Sequence, residues 1–557
     1  MGCNNQVWGA SMRNRFTRSL LGFSLAASLD ATLTFAAPAQ DQGREINAVF
    51  ASYQPGAPGC AVGVQQAGKV LFAKGYGSAD IKAGLAFTPQ SKVYMASVSK
   101  QVAAMAILLL VEDGRVRLND PVRKLIPELP AYAEGVTLAQ MLNHTSGIRD
   151  YFTLGGLNGF DNDHVYTEAG VLDLLRQQQA LNFTPGSEFL YSNSGYVLAA
   201  MIVQRVSGQR LDDFARARIF TPLQMAGSKF QHDHNALILD KANGYERRDG
   251  GWIASNSNLD VTGDGGLYSS VDDMLRWLAN LDAPIIGTQA LSTMRASALL
   301  NDGSPSGYGM GLETSRFRGL ELVDHGGALA GYRTADWWFP EKKLGVVVLC
   351  NHADARPSEL AARVASVFVP IITKSSDWLN SSATSGDLDR YAGVYRDAKG
   401  GYAEFARRGS ELLALRPDRP LAATAAGSFV VATDADGQRF DFRPDRALDV
   451  VRAGRPTRHL ERVDPVSLSA DVMAGYVGDY LSPEVATPVH IELRGTGPFY
   501  SFKGSPASPL VATGADRLWD PARGFELGIL RGADGGVVGF TLNAGRARGI
   551  RYMRSAS

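Results

Sequence analysis

Two hairpin-like pairs of strands, one near the start of the chain and one far along it, constrain this sequence more than any other feature. Gly59–Gln66 and Lys69–Tyr76 are apolar runs rich in β-branched residues, split by Ala67-Gly68, the pattern of an antiparallel hairpin. Arg333–Phe339 and Leu344–Asn351 repeat it around the turn Pro340-Glu341-Lys342-Lys343. The stretches between are helical in character. Lys100–Asp113, dense in Ala, Leu and Met, predicts a buried helix, and Gly186–Arg205 opens as a Pro-Gly turn and continues as another. Strands at both ends of a region with helices between predict an α/β fold. Its single antiparallel sheet would have first and last strands as neighbours, helices on its faces and a helical subdomain inserted.

The 557 residues exceed what one core holds. Past the small polar segment Ser381–Gly386 the chain changes to short alternating strands and Gly/Asp turns. Tyr391-Ala392-Gly393-Val394-Tyr395 recurs there as Tyr476-Val477-Gly478-Asp479-Tyr480. Two consecutive antiparallel β-barrels follow from that repeat, with the tyrosine pairs as core. The expected division is a leader over 1–39, an α/β domain over 40–375, a linker over 376–386, and barrels over 387–465 and 466–557.

The leader reads as an export signal. Arg13, Arg15 and Arg18 precede the apolar run Ser19–Leu29, and Ala37-Pro38-Ala39 offers a cleavage site. The run is too short to span a bilayer, so a periplasmic or secreted product without membrane attachment is expected. Formal net charge is zero, and no cluster of five or more Lys or Arg occurs, which argues against nucleic acid as a partner. Three cysteines are too few for a disulfide framework. Cys60 and Cys350 lie in apolar runs and are read as two buried thiols.

Three motifs carry chemistry. Ser97-Val98-Ser99-Lys100 opens the first predicted helix, so hydroxyl and amine stand one turn apart on one face. The helix N-terminus would favour an oxyanion there, and desolvation would lower the lysine pKa. Tyr191-Ser192-Asn193 supplies a phenol able to exchange protons beside a cation and an amide able to hold a carbonyl or the lysine. In Asp324-His325-Gly326-Gly327-Ala328, consecutive glycines admit a substrate close to the backbone, and the Ala328 N–H is a candidate oxyanion donor.

In this order, S-x-x-K, Y-x-N and H-G-G resemble the penicillin-recognising serine enzymes: class C β-lactamases, low-molecular-weight penicillin-binding proteins, related esterases and D-aminopeptidases. Leu142–Gly147, Phe183–Gly186 and Gly265–Ser269 also match that family's wording. The resemblance covers residues 45 to about 370. It implies a class C β-lactamase-like domain in which Ser97 is the nucleophile. Lys100 and Tyr191 would share the general-base and general-acid roles, with the taker of the serine proton left open. Asn193 would position substrate, and the N–H groups of Ser97 and Ala328 would form the oxyanion hole.

One departure bears on substrate. β-Lactamases and carboxypeptidases of the family usually carry lysine where His325 stands. A histidine, with an ordinary pKa of ~6.5, is mostly neutral at neutral pH, which weakens recognition of a substrate carboxylate. A class C-like domain followed by two barrels is the layout of bacterial D-aminopeptidases, in which a loop of the last barrel reaches the active site. The corresponding loop would be Trp519–Gly524, with Asp520 as candidate ligand for a substrate ammonium and Arg523 opposing it. The leading expectation is therefore a serine hydrolase acting on short peptides or amides with an N-terminal D-residue. The alternatives are an esterase, a β-lactamase or DD-carboxypeptidase-like enzyme, and a non-catalytic peptidoglycan-binding protein. No cofactor is expected. His232-Asp233-His234 lacks an evident further ligand, so no metal is expected either. Acylation by β-lactams and a homodimer are left open.

Overall fold

The computed structural model describes residues 40–161, 163–369, 388–415, 418–431, 437–452, 454–495 and 497–555. The predicted leader over 1–39 and linker over 376–386 lie outside the described residues. Six strands form one antiparallel sheet: β1 (Cys60–Gln66), β2 (Lys69–Tyr76), β3 (Glu313–Phe317), β4 (Leu320–Leu329), β5 (Tyr332–Phe339) and β6 (Leu344–Cys350). Their order is β3-β4-β5-β6-β1-β2. The first and last strands are neighbours, with Val62 opposite Val348.

Both faces of this sheet are covered, which is why β6 reads as an unbroken apolar run. Helices α1 (Gln40–Val49) and α5 (Pro357–Phe368) close one face over Val62, Val64, Val346 and Val348. The other face takes α4 (Val271–Asp282), and the sheet yields to it at Gly63. A Cβ on Gly63 would stand 2.4 Å from Val271 Cγ1 and 2.9 Å from Leu275 Cδ1. The predicted buried helix is α2 (Ser99–Glu112), inaccessible from Ser99 to Leu110 and packed on α3 (Ser194–Ser207). A helix apolar on every side belongs in a core. Helix α3 starts at Ser194, well past the predicted Pro-Gly turn, and contacts described below hold the loop between them.

The strand register overturns the reading of two free thiols. Cys60 stands directly opposite Cys350, and the two form a disulfide with Cα atoms 4.0 Å apart. Apolar surroundings are equally good for a thiol or a disulfide; only the pairing of strands far apart in sequence decides.

The C-terminal region holds one closed eight-stranded barrel, from Gly393–Asp397 to Arg458–Val463, and a nearly closed nine-stranded antiparallel sheet from Gly478–Leu481 to Ala547–Arg554. The sequence repeat is a structural one. Tyr395 donates to the Tyr391 carbonyl at 3.1 Å, and Tyr480 to the Tyr476 carbonyl at 2.6 Å. Gly393 and Gly478, between the paired tyrosines, share an unusual backbone with φ of 146° and 153°. All four tyrosines are buried, as core residues should be.

Candidate active site

Ser97 sits in a single 3-10 turn, Ala96–Val98, that runs straight into α2. No side chain caps that helix start, and the positive end of the α2 dipole lies next to Ser97. Ala96 is held at φ 47°, a left-handed conformation that costs a residue with a Cβ roughly 1–2 kcal/mol. Strand β4 presses on this turn at Gly327. A Cβ there would lie 2.2 Å from Thr334 Oγ1 and 2.3 Å from the Met95 carbonyl. Gly326, Gly327 and Ala328 thereby border the same cleft as Ser97, which has a volume of about 690 Å³.

Lys100 is fully buried and its Nζ has three partners: Ser97 Oγ at 3.0 Å, Asn193 Oδ1 at 2.9 Å and the Asp264 carbonyl at 2.8 Å. Burial brings its pKa down to about 7, against the pull of the Asp264 carboxylate and with a push from Arg546. The amine is thus able to hold or release a proton near neutrality. Burial also raises Asp264, to about 6; its Oδ2 accepts from Tyr151 at 2.8 Å, while Oδ1 is buried without a partner among the described residues.

Tyr191 and Asn193 arrive on the loop before α3, and residues absent from the predicted set hold that loop. His144, at φ 62°, accepts the Ser192 N–H on Nδ1 at 3.1 Å and packs its ring 4.2 Å from that of Tyr191. Its carbonyl takes the Leu190 N–H at 3.0 Å. Asp150 takes the backbone and side-chain N–H groups of Asn193. Burial pushes the Tyr191 phenol well above its ordinary range. The Ser97 hydroxyl, not in formed hydrogen-bond geometry with it, and the Arg546 charge act the other way.

His325 is buried and neutral. Its Nδ1–H donates to the Gly326 carbonyl at 2.7 Å, which leaves Nε2 to accept from the Tyr308 hydroxyl at 3.0 Å. Burial carries its pKa down to about 4, despite Glu313 nearby. The expected weakness of this position as a cation is therefore stronger than an ordinary histidine would give.

Asp520 does not join the cleft. It is fully buried at the end of the strand Arg517–Asp520, where Oδ2 accepts from Tyr500 and Oδ1 from the N–H groups of Ala522 and Arg523. The expectation of Asp520 as a substrate ligand is corrected: its carboxylate builds its own turn. The second barrel reaches the site through Arg546, in the turn between strands Val537–Ala544 and Ala547–Arg554. Arg455, from the turn before the last strand of the first barrel, also lines the cleft and pairs with Glu313 at 2.8 Å. Nothing local in the sequence marks either arginine. Away from the cleft, Asp260 joins Asp233 and His234 with ligand atoms within 4.8 Å of one another. Hydrogen bonds from the His234 N–H and ring to Asp260 Oδ1 account for that approach.

A serine one helical turn from a buried amine, with a phenol and an amide beside them, is a constellation for acyl transfer. The beta-lactamase family profile matches residues 38–367. The chain belongs to the beta-lactamase family. Among relatives in this family, D-aminopeptidase of Brucella ovis is 26% identical over 519 residues, covering 89% of this chain and 96% of that protein. The octameric penicillin-binding protein homologue from Pyrococcus abyssi matches in structure with a TM-score of 0.54 and 27% identity, over 76% of this chain and 99% of that one. The solved structure of SurE covers 92% of this chain and 98% of its own, with a TM-score of 0.54 and 18% identity, a likeness of fold. This beta-lactamase-family chain is a serine hydrolase.

Proposed function

We propose that the chain is an exported, D-aminopeptidase-like hydrolase of short peptides and amides carrying an N-terminal D-residue. The observation that carries this reading is the likeness to D-aminopeptidase over 89% of the chain, a share too large for the α/β domain and first barrel alone, so that it reaches into the second barrel. Neutral His325 supports it, since the third motif offers no permanent cation. The leader motif supports export, and so does the Cys60–Cys350 disulfide, a bond that persists outside reducing compartments.

In this mechanism, Ser97 Oγ attacks the scissile carbonyl carbon while its proton passes to neutral Lys100, 3.0 Å away. The carbonyl oxygen becomes an oxyanion held by the N–H groups of Ser97 and Ala328. Collapse breaks the C–N bond, and the leaving nitrogen takes a proton from Tyr191, which Lys100 then restores. Water hydrolyses the Ser97 ester by the reverse transfers. Asn193 holds Lys100 through Oδ1 and gives one Nδ2 hydrogen to Asp150, so its other Nδ2 hydrogen is the one left for the substrate.

Release of p-nitroaniline from D-alanine and L-alanine p-nitroanilides, by residues 40–557 and by Ser97→Ala, tests the reading. Ser97-dependent preference for the D-anilide is expected. Cleavage confined to p-nitrophenyl esters would move the enzyme to the esterase branch. Equal labelling of wild type and Ser97→Ala by a fluorophosphonate would sink the nucleophile assignment.

A further inference from the structure

Among the described residues three arginines line the cleft, and they differ in what already occupies them. Arg455 is paired with Glu313 at 2.8 Å, each charge largely answering the other. Arg333 gives Nη1 to the carbonyls of Ala330 and Tyr332, at 2.9 Å and 2.7 Å. Among the described residues Arg546 meets a carboxylate only at 3.9 Å, on Asp150, and that same Oδ2 atom already takes two hydrogen bonds from Asn193. Its side chain is 45% exposed, and its guanidinium carbon lies 4.8 Å from the centre of the Tyr191 ring. The turn that carries it is fastened to the catalytic domain by backbone groups. The Arg546 carbonyl accepts from Asp150 N–H at 3.3 Å and from Asn182 Nδ2 at 2.9 Å, so the side chain is free to serve the cleft.

We infer that Arg546 is a specificity residue that binds a carboxylate on the leaving-group side of the scissile bond. The favoured substrates are then dipeptides and similarly short peptides with a free C-terminus, in preference to simple amides. This rests on the proposed role of Tyr191: a phenol that protonates the leaving nitrogen has the leaving group passing beside it, where Arg546 stands. A planar guanidinium suits a carboxylate through paired N–H donors. The cation that His325 cannot supply thus comes from the second barrel, on a different element of the fold.

The test is the ratio of kcat/KM for D-alanyl-D-alanine to that for D-alanyl-D-alaninamide, in wild type, R546K and R546E. A ratio cancels any general damage to the catalytic groups. The expected result is a wild-type ratio above one, a smaller ratio in R546K, and a fall of about tenfold or more in R546E. An unchanged ratio in R546E overturns the inference while leaving the D-aminopeptidase reading intact. If neither peptide is cleaved, that reading fails separately. The ratio is then taken between the acetyl ester of 3-hydroxybenzoate and phenyl acetate, whose leaving groups differ in the carboxylate. A selective loss on the carboxylate ester in R546E supports the assignment, and an equal loss on both overturns it.

Discussion

Asp150 accepts two hydrogen bonds from Asn193, from its backbone N–H at 2.8 Å and from Nδ2 at 2.9 Å, and thereby decides which way the Asn193 amide faces. With Nδ2 committed to the carboxylate, Oδ1 is the atom turned to Lys100 Nζ, at 2.9 Å. A flipped amide would present N–H groups to an amine that needs an acceptor. Asp150→Ala removes this control. The expected result is a loss of about 10²-fold in kcat/KM, the scale set by misplacing a catalytic group by an ångström. Steady-state kinetics with a circular dichroism check of folding reads it. Activity within threefold of wild type would mean that the amide is oriented by something else.

The pH profile follows from Lys100. Its pKa is brought down to about 7 by burial, and in the proposed mechanism it is the neutral amine that accepts the serine proton. Activity should therefore be absent well below that value and rise through it, giving kcat/KM an acidic limb near pH 7. The Asp264 carboxylate favours the ammonium form. Asp264→Asn removes that attraction, lowers the lysine pKa further and moves the limb to lower pH, by on the order of one unit. A limb that stays in place would remove Lys100 as the group it reports.

How much of this was legible beforehand depends on the range of the interaction. Ser97 and Lys100 are three residues apart across the 3-10 turn that leads into α2, so spacing alone places them together. The tyrosine repeat announced the barrels because each copy closes its own strand the same way. Asp150, by contrast, is held locally as the N-cap of Tyr151–Leu157, through the Thr153 N–H. Its second oxygen serves Asn193, and no local pattern encodes that. Asp520 is the converse case: an acidic residue in the loop Trp519–Gly524 reads as a ligand for a substrate ammonium, whereas Tyr500 and its own turn consume the carboxylate. Arg546 required knowing how the second barrel seats on the first domain.

The Cys60–Cys350 bond makes a simple prediction. Residues 40–557 contain no other cysteine. Denatured, unreduced protein of that span should show no free thiol to Ellman's reagent, and reduction should expose two. Replacing both cysteines by alanine should lower stability by about 2–4 kcal/mol, the usual range for a disulfide, read as a drop in the urea midpoint. Two free thiols before reduction would contradict the bond.

Barrel and active site are mechanically joined by Arg149 and Glu484, whose side chains are only 1% and 3% exposed. Arg149 also donates to Gln178 at 2.7 Å and to the Arg548 carbonyl at 2.9 Å, while Glu484 takes the Gln179 N–H at 2.9 Å. The residue after Arg149 is Asp150, so this buried pair anchors the segment that orients Asn193. Glu484→Ala leaves a guanidinium buried without its counter-charge and should cost about 3–5 kcal/mol. Arg149→Met combined with Glu484→Leu removes both charges together and should cost far less, since no charge is stranded. The two variants therefore separate two roles of the pair. If its purpose is to hold Asp150 in place, the double variant should recover most of the stability and still show reduced kcat, with KM little changed. If it acts only through stability, the double variant should recover kcat as well. Urea unfolding and steady-state kinetics on the same preparations distinguish these outcomes, and a double variant as unstable as Glu484→Ala would refute the stranded-charge argument.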